Sequence, residues 1–530
     1  MLLSQILIDA TERFPQKLAF VCGDKRYDYT TFKIRACKLA NALNSFGIKI
    51  GDRVAIIHKN CHCFLESYFA AAIAGVVIVP INYRLSKKEF TYILNNSDAK
   101  VLITHSEFRN KILPVLEHTL QLTKVIWTGE FNDTEQSGNH VSYENLIKNN
   151  LPLESHTLNI PEDSIAQLYY TSGTTGQPKG VILTHKNNYA HTIGTIKELD
   201  LNENDNWLHV SPMFHLADAW AVWAITKAGG THIIVPEFNP ENVLRIMETE
   251  KVTISNFIPT LLNMLINCQE VDKFNYKYLR LIMSGGAPIA HEVVRKVIGV
   301  FKCEYIQTYG MTETSPFLTM SILKPHLRKL PFEEQFKYLV TTGRPFSNVQ
   351  LRVINENEED IQKDNKEVGE IIVKGETITP EYWKLPEETS KRIKDGWLYT
   401  GDLARINEEG YLTIVDRKDD MIITGGENVY SIEIENVLYS HPDILESAVV
   451  GLPDKIWGEK IIATVVLKRE KNTNDKNIID FCREHLADFK VPKRIVFVDE
   501  LPKTGSNKIF KQRLREILLP NSNNQKNINT

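Results

Sequence analysis

Residues 169–184, YYTSGTTGQPKGVILT, limit the folds open to this chain more than any other stretch. Gln167-Leu168-Tyr169-Tyr170 suits the end of a buried strand, and Val181-Ile182-Leu183 reads as a second one. Between them lie Thr171, Ser172, Gly173, Thr174, Thr175 and Gly176, closed by Pro178, Lys179 and Gly180. Residues this small let backbone N–H groups come close to an anion and face it. The hydroxyls add donors, and Lys179 adds a point positive charge. The combination is a phosphate cradle between two strands. It is not a Walker A loop: Pro178 stands where that pattern needs its second glycine, and Lys179 leads into a strand instead of a helix. Taken alone, the loop also fits a hairpin with one solvated lysine. The motifs further along the chain weigh against that.

Residues 1–110 alternate helix and strand patterns. Tyr29-Thr30-Thr31-Phe32 opens a helix behind a hydroxyl cap, and Leu39, Leu43 and Phe46 continue its apolar face. Gly51-Asp52-Arg53 turns into a strand over 54–57, a helix follows over 66–74 and a strand over 76–80. Such alternation calls for a parallel sheet covered by helices. Residues 111–160 are weakly patterned and read as a connecting region.

Further motifs carry chemistry. Pro212-Met213-Phe214-His215 separates a strand-like 207–211 from an apolar helix over 216–228, and a strand follows over 231–235. Leu281-Ile282-Met283 runs into Ser284-Gly285-Gly286-Ala287-Pro288, a turn small enough for a flat ring to lie on its backbone. In Gln307-Thr308-Tyr309-Gly310-Met311-Thr312-Glu313-Thr314, Tyr309 can stack, Thr312 can donate to a phosphate and Glu313 can hold a hard cation. Asp402, after a Thr-Gly turn, suits acceptance from two ribose hydroxyls. Asp416 to Asp420 is a charge-rich break, and Gly425-Gly426-Glu427 and Leu501 to Ile509 are the last two strings. Each has a plainer alternative: a packed core histidine, core aromatics at Trp220 and Phe257, solvated turn carboxylates, a surface lysine at Lys508.

Together these strings resemble the adenylate-forming (AMP-binding) superfamily, in its acyl-CoA synthetase or fatty-acid–CoA ligase branch, over residues 14–511. The resemblance implies an α/β fold. A large N-terminal domain of helix-covered, mostly parallel sheets would take residues 1–417, a small mobile α+β C-terminal domain 418–519, and a polar tail 520–530. It implies ATP, Mg²⁺ and CoA as reaction partners of a small carboxylic acid. Thr171, Ser172, Gly173, Thr174, Thr175 and Lys179 would hold phosphates. Gly285, Gly286, Ala287, Gln307, Thr308, Tyr309, Gly310 and Met311 would form the adenine pocket, with Asp402 and Arg417 on ribose and phosphate. Thr174 and Glu313 would ligate the metal. Lys508, Thr312, Glu313 and His215 would be catalytic. His215, Trp220, Phe257 and Gly285 would face the acid, and Gly425, Gly426 and Glu427 the CoA arm. Asp419 would be the hinge. Asp416 and Asn507 stand where the family commonly has glycine. The activity implied is formation of acyl-AMP from a medium- or long-chain fatty acid, then thioester formation with CoA. An aryl-CoA ligase and an acyl-AMP ligase loading a carrier protein are the alternatives.

Composition narrows the rest. A chain of 530 residues is too long for one core and needs two or more domains. A net charge of −4 supplies no basic field to gather nucleic acid. Seven scattered cysteines suit free thiols in a reducing, cytoplasmic compartment. Cys61-His62-Cys63 lacks a second ligand pair at finger spacing and reads as a partly buried helical stretch. The first residues read as an amphipathic helix with no basic region or cleavage site. No apolar run reaches membrane-spanning length, which leaves peripheral membrane contact at most. A homodimer is compatible with the sequence.

Overall fold

Apolar runs bracketed by helical patterns assemble here, among the described residues, into two large helix-covered sheets and two smaller ones of five strands each, one of them built on Val349–Ile354, Gly369–Gly375, Trp397–Ile406 and Leu412–Arg417. The structure, a computed structural model, describes residues 1–131, 138–153, 160–171, 177–287, 289–469, 471, 473–503 and 509–519. The expected tail, 520–530, lies outside them. Two compact units share the chain. The first is Met1–Gly286, Arg295–Gln350 and Val373–Leu398; the second is Ala287–Val294, Leu351–Ile372 and Tyr399–Thr530.

In the first unit, a seven-stranded sheet runs His140–Ser142, Lys124–Thr128, Ala99–His105, Arg53–Ile57, Val77–Ile81, Ile165–Thr171, Lys179–Thr184. All neighbours are parallel except the last pair, an antiparallel hairpin with Thr171 opposite Lys179. Every residue of Val77–Ile81 is buried, as a strand covered on both faces requires. A nine-stranded sheet runs Arg344–Pro345, Phe317–Met320, Glu304–Gly310, Leu281–Ser284, Ile254–Phe257, Asn206–His209, Thr231–Ile234, Leu18–Cys22, Lys25–Asp28. Its strands from Glu304–Gly310 to Leu18–Cys22 are parallel, and the edges are antiparallel.

Helices seal these sheets. The N-terminal helix Leu3–Arg13 buries Leu3, Ile6, Leu7 and Ala10 on one face. Helix His62–Ala74 is buried on all sides, and Cys61, His62 and Cys63 pack at its start. Among the described residues no group of three or more His, Cys, Asp or Glu could hold a metal ion. Helix Tyr29–Ser45 is capped by Asp28, whose carboxylate accepts from the Thr31 amide at 2.7 Å, and not by the expected hydroxyl. A side-chain oxygen at this position reaches the amide three residues on, and a carboxylate also meets the positive end of the helix dipole. Within 111–131 and 138–153 there is more regular structure than the pattern suggests. Lys124–Thr128 pairs in parallel with Ala99–His105, so tertiary pairing makes a strand of a short apolar run.

The second unit has its own antiparallel core sheet, Glu427–Val429, Ile422–Thr424, Gly458–Leu467, Ile444–Asp454, with Arg494–Phe497 parallel to Gly458–Leu467. Gly425 and Gly426, at φ 61° and 84°, make the two-residue turn between Thr424 and Glu427 that side chains resist. Val449, Ile461 and Ala463 on the sheet and Ile434, Ile478 and Cys482 on its helices form the core.

All seven cysteines are free thiols. Burial pushes the Cys37 thiol up, Cys63 further, and Cys482 to about 11. Among the described residues no helix is long and apolar enough to cross a membrane.

Three buried histidines make the fold acid-sensitive. Burial lowers His58 and His185 to about 4 and His191 to about 3. Their imidazoles stay neutral in the folded chain while unfolded ones, with an ordinary value of 6.5, take up protons. Their contribution is therefore present above pH 6.5 and is lost as pH falls towards 4. Each group adds a slope of up to about 1.4 kcal/mol per pH unit in that window. Urea midpoints measured between pH 7 and 5 should fall with acidification, and His191→Gln should flatten the slope by one proton's worth. An unchanged slope in that variant would place the titration elsewhere.

Candidate active site

The hairpin of the first unit carries the phosphate-loop residues. Thr171 ends one strand and Lys179 begins the next, so both border the loop. Ser172, Gly173, Thr174 and Thr175 lie outside the described residues. The Lys179 ammonium sits 2.5 Å from Glu388 Oε1, both side chains largely withdrawn from water.

The parallel strands of the nine-stranded sheet end on a common edge, where α/β folds bind ligands. Phe257 and Ser284 are register partners there, as are Ser284 and Gln307. Phe257 is fully buried. Gly285 follows Ser284, and a Cβ on it would lie 2.8 Å from the Thr308 carbonyl oxygen and nearer still to Thr308 Oγ1. The close approach of these two segments therefore demands glycine. Thr308 Oγ1 donates to the Ser284 carbonyl at 3.1 Å and locks the pair. The Gln307 amide donates to Ser321 Oγ at 2.8 Å, and its side-chain oxygen accepts from the Tyr305 hydroxyl. Tyr309 and Gly310 close the strand and are partly buried; Met311 follows, its amide bonded to the Pro316 carbonyl at 3.0 Å. Gly286 ends the Met1–Gly286 segment of the first unit, and Ala287 begins the Ala287–Val294 segment of the second.

Thr312 and Glu313 lie in one 3₁₀ turn, Thr312–Thr314. The Glu313 carboxylate accepts from the Tyr382 hydroxyl at 2.9 Å, and its carbonyl accepts from the Thr379 amide at 2.7 Å. Burial and the adjacent carboxylate push the Tyr382 phenol well up, so it remains a donor. The same short segment grips the strand Lys179–Thr184. Thr379 Oγ1 donates to the Ile182 carbonyl at 2.6 Å, and the Trp383 amide donates to the Gly180 carbonyl at 2.8 Å. Thr379, Tyr382 and Glu388 thus tie Glu313 and Lys179 into one rigid piece. Sequence reasoning missed them; the aromatic pair Tyr382-Trp383 followed by Pro386-Glu387-Glu388-Thr389 was the available signal.

His215 caps helix Leu216–Ala228, its Nδ1 accepting from the Ala217 amide at 3.2 Å. With Nδ1 an acceptor, the neutral ring carries its proton on Nε2, the tautomer that can donate to a carboxylate. One turn on, Trp220 is fully buried. Its ring packs edge-on against Trp207, Phe317 and His191, and its Nε1 donates to the Ala217 carbonyl at 3.0 Å.

In the second unit, Asp402 and Arg417 are cross-strand partners, with Nε 3.3 Å from Oδ1. The carboxylate is buried while the guanidinium is 64% exposed, so the arginine can turn to a ligand without leaving a core. Asp416, in the place of the family's glycine, is buried and accepts from the Ser431 amide and hydroxyl. Lys511 completes that cluster, 2.7 Å from Glu435 and 2.6 Å from Ser431 Oγ. Burial raises the Asp416 carboxyl, and Lys511 opposes the rise. Asp419 follows in the turn after Arg417, while Glu427 is exposed beside the Gly425-Gly426 turn. Lys508 lies outside the described residues.

A family model described as AMP-binding enzyme matches residues 7–383, and one described as AMP-binding enzyme C-terminal domain matches residues 433–508. The chain belongs to the AMP-binding enzyme family. Among its relatives in that family is the 4-hydroxybutyrate–CoA ligase 2 of Metallosphaera sedula. It is 32% identical over 526 residues, covering 98% of this chain and 94% of the relative. The long-chain-fatty-acid–CoA ligase of Thermus thermophilus is 34% identical over 498 residues, covering 93% and 90%. Among solved AMP-binding enzymes, the anthranilate CoA ligase AuaEII in complex with anthranoyl-AMP is similar at a TM-score of 0.87. It is 25% identical and covers 97% of this chain and 96% of its own.

Gly285→Ala should test the expected role of this edge in holding adenine. The added methyl must push the Thr308 segment aside, costing about 1–3 kcal/mol of stability. Adenosine affinity should fall with it, read by calorimetry beside a urea titration. Unchanged adenosine binding would remove this edge from the nucleotide site.

Proposed function

We propose that this AMP-binding enzyme is an ATP-dependent acyl-CoA synthetase acting on medium- or long-chain fatty acids. The observation that carries the reading is the joint holding of Lys179 and Glu313 by the Thr379–Glu388 segment. It presents an ammonium for phosphate oxygens and a carboxylate for a cation from one framework. The half-buried Glu313 carboxylate keeps lone pairs beyond the one facing Tyr382. That suits magnesium, which takes most of its ligands from water and phosphate. Bound there, magnesium would neutralise charge across the phosphates.

In the first half-reaction the acid's carboxylate oxygen bonds to the α-phosphorus of ATP, the bridging α–β bond breaks, and pyrophosphate leaves. Negative charge develops on both sides of that phosphorus. Lys179, Thr312 and the backbone of residues 171–175 would hold the phosphates, and Lys508 would bridge the entering and leaving groups. His215 would orient the acid through its Nε2 proton. Gly285, Gly286, Ala287 and residues 307–311 would hold the adenine, and Asp402 and Arg417 the ribose and phosphate. In the second half-reaction the CoA sulfur bonds to the acyl carbon, the carbon–oxygen bond to AMP breaks, and the thiol proton passes to solvent. Residues 418–519 would turn about Asp419 between the steps and offer Gly425, Gly426 and Glu427 to the CoA arm. Trp220 and Phe257 would shape the acyl side. Similarity to the Thermus thermophilus ligase supports the fatty-acid reading, and similarity to the anthranilate ligase supports an aryl acid as the second.

Purified protein incubated with Mg·ATP, CoA and a panel of fatty and aryl acids should release pyrophosphate and AMP with a fatty acyl thioester, read by mass spectrometry. Glu313→Gln should lower kcat by about 10²-fold or more. Thioesters of aryl acids alone would reassign the substrate. Acyl-AMP that accumulates and ignores CoA would replace the ligase with a loader of carrier proteins.

A further inference from the structure

The Lys179 ammonium is already engaged by a carboxylate of its own chain. Glu388 Oε1 lies 2.5 Å from Lys179 Nζ, with side-chain exposures of 13% and 21%, so water screens the pair weakly. Arg392 Nε is 3.9 Å from the same oxygen, one helical turn along Pro386–Arg392. One carboxylate oxygen is thus shared between two cations. The helix that carries it is pinned to the site, because the Tyr382 amide donates to Thr389 Oγ1 at 3.0 Å. Tyr382 in turn donates to Glu313, and its phenol lies in the fields of Glu313, Arg392 and Glu388 together.

A carboxylate oxygen at this distance offers Lys179 the charge and hydrogen bond that a phosphate oxygen would. We propose that Glu388 is an internal stand-in for polyphosphate on Lys179, a latch released when the nucleotide's phosphates displace it onto Arg392. The inference rests on the reading of Lys179 as a phosphate ligand. It gives Arg392 a defined role: without a receiving cation, the displaced carboxylate would be left half-buried and unpaired. Ligand binding then competes with an intramolecular ion pair, and the apparent affinity is lowered by the latched fraction. Singly charged anions displace the latch poorly, while a triphosphate brings enough charge to open it. When pyrophosphate departs, Glu388 returns to Lys179 and opposes its rebinding.

Full-length wild type, Glu388→Gln, Arg392→Gln and the double variant would be titrated calorimetrically with Mg·ATP, inorganic tripolyphosphate and adenosine. Glu388→Gln should bind both polyphosphates about threefold to tenfold more tightly, since a part-buried pair of this kind no longer competes. Adenosine affinity should not change. Arg392→Gln should weaken polyphosphate binding in the wild-type background and have no effect beside Glu388→Gln. Equal or weaker polyphosphate binding by Glu388→Gln, with adenosine unchanged, would overturn the latch and leave Glu388 a positioning residue for Lys179. Weakening by Arg392→Gln in both backgrounds would make Arg392 a phosphate ligand instead of a receiver. If Glu388→Gln melts, Glu388→Asp, which keeps the charge but withdraws it by one methylene, must tighten binding. Wild type that binds neither polyphosphate would sink the phosphate reading itself, a result distinct from failure of the latch alone.

Discussion

The geometry of the first unit's candidate site hangs on Thr379 and two of its hydrogen bonds. Its amide holds the Glu313 carbonyl and its hydroxyl holds the Ile182 carbonyl. Glu313 belongs to one sheet's edge and Ile182 to a strand of the other, so the two sheets share a reference point there. Lacking it, a carboxylate and an ammonium carried on separate sheets would be tied only through Tyr382, Trp383 and Glu388. A buried, satisfied polar contact has a narrower geometry than apolar packing.

The parallel core explains why the candidate site residues gather where they do. Parallel strands end together, and the residues just past their ends are free of the ladder. Gly285 and His215 fall beyond such ends, while residues 307–310 close their strand and 308–310 pair on with Phe317–Met320. Of the helices that return the chain, Leu216–Ala228 is buried nearly all round, while Pro240–Thr249 buries only Val243, Leu244 and Met247. Asp402 and Arg417 obey different logic. They face each other across an antiparallel pair, where a buried acid and an exposed base are held by the register itself.

Much of this was legible in the sequence where local signals agreed. The helix Leu216–Ala228 and the strands beside it follow from an apolar run closed by Gly229-Gly230. The paired strands Ile165–Thr171 and Lys179–Thr184 follow from the apolar flanks of the small-residue run. Less legible were features made by distance. Glu388 meets Lys179 across 209 positions of chain, and the local signal, Tyr382-Trp383 ahead of Pro386-Glu387-Glu388-Thr389, does not say which residue Glu388 meets. The strand Lys124–Thr128 exists because a neighbour offers it a ladder. Trp220 shows a further limit. Helical spacing placed it on a face, but only the packed rings of Trp207, Phe317 and His191 say what that face meets.

The free thiols turn the molecule into its own recorder of opening. Cys37, Cys61 and Cys63 are sealed in the first unit and Cys482 in the second. Thiolate is the reactive form, and burial both withholds it and blocks access to it. An alkylating reagent therefore marks these sulfurs only in molecules that have opened locally or fully. Peptide-resolved labelling rates would separate the breathing of one unit from that of the other, with no foreign probe introduced.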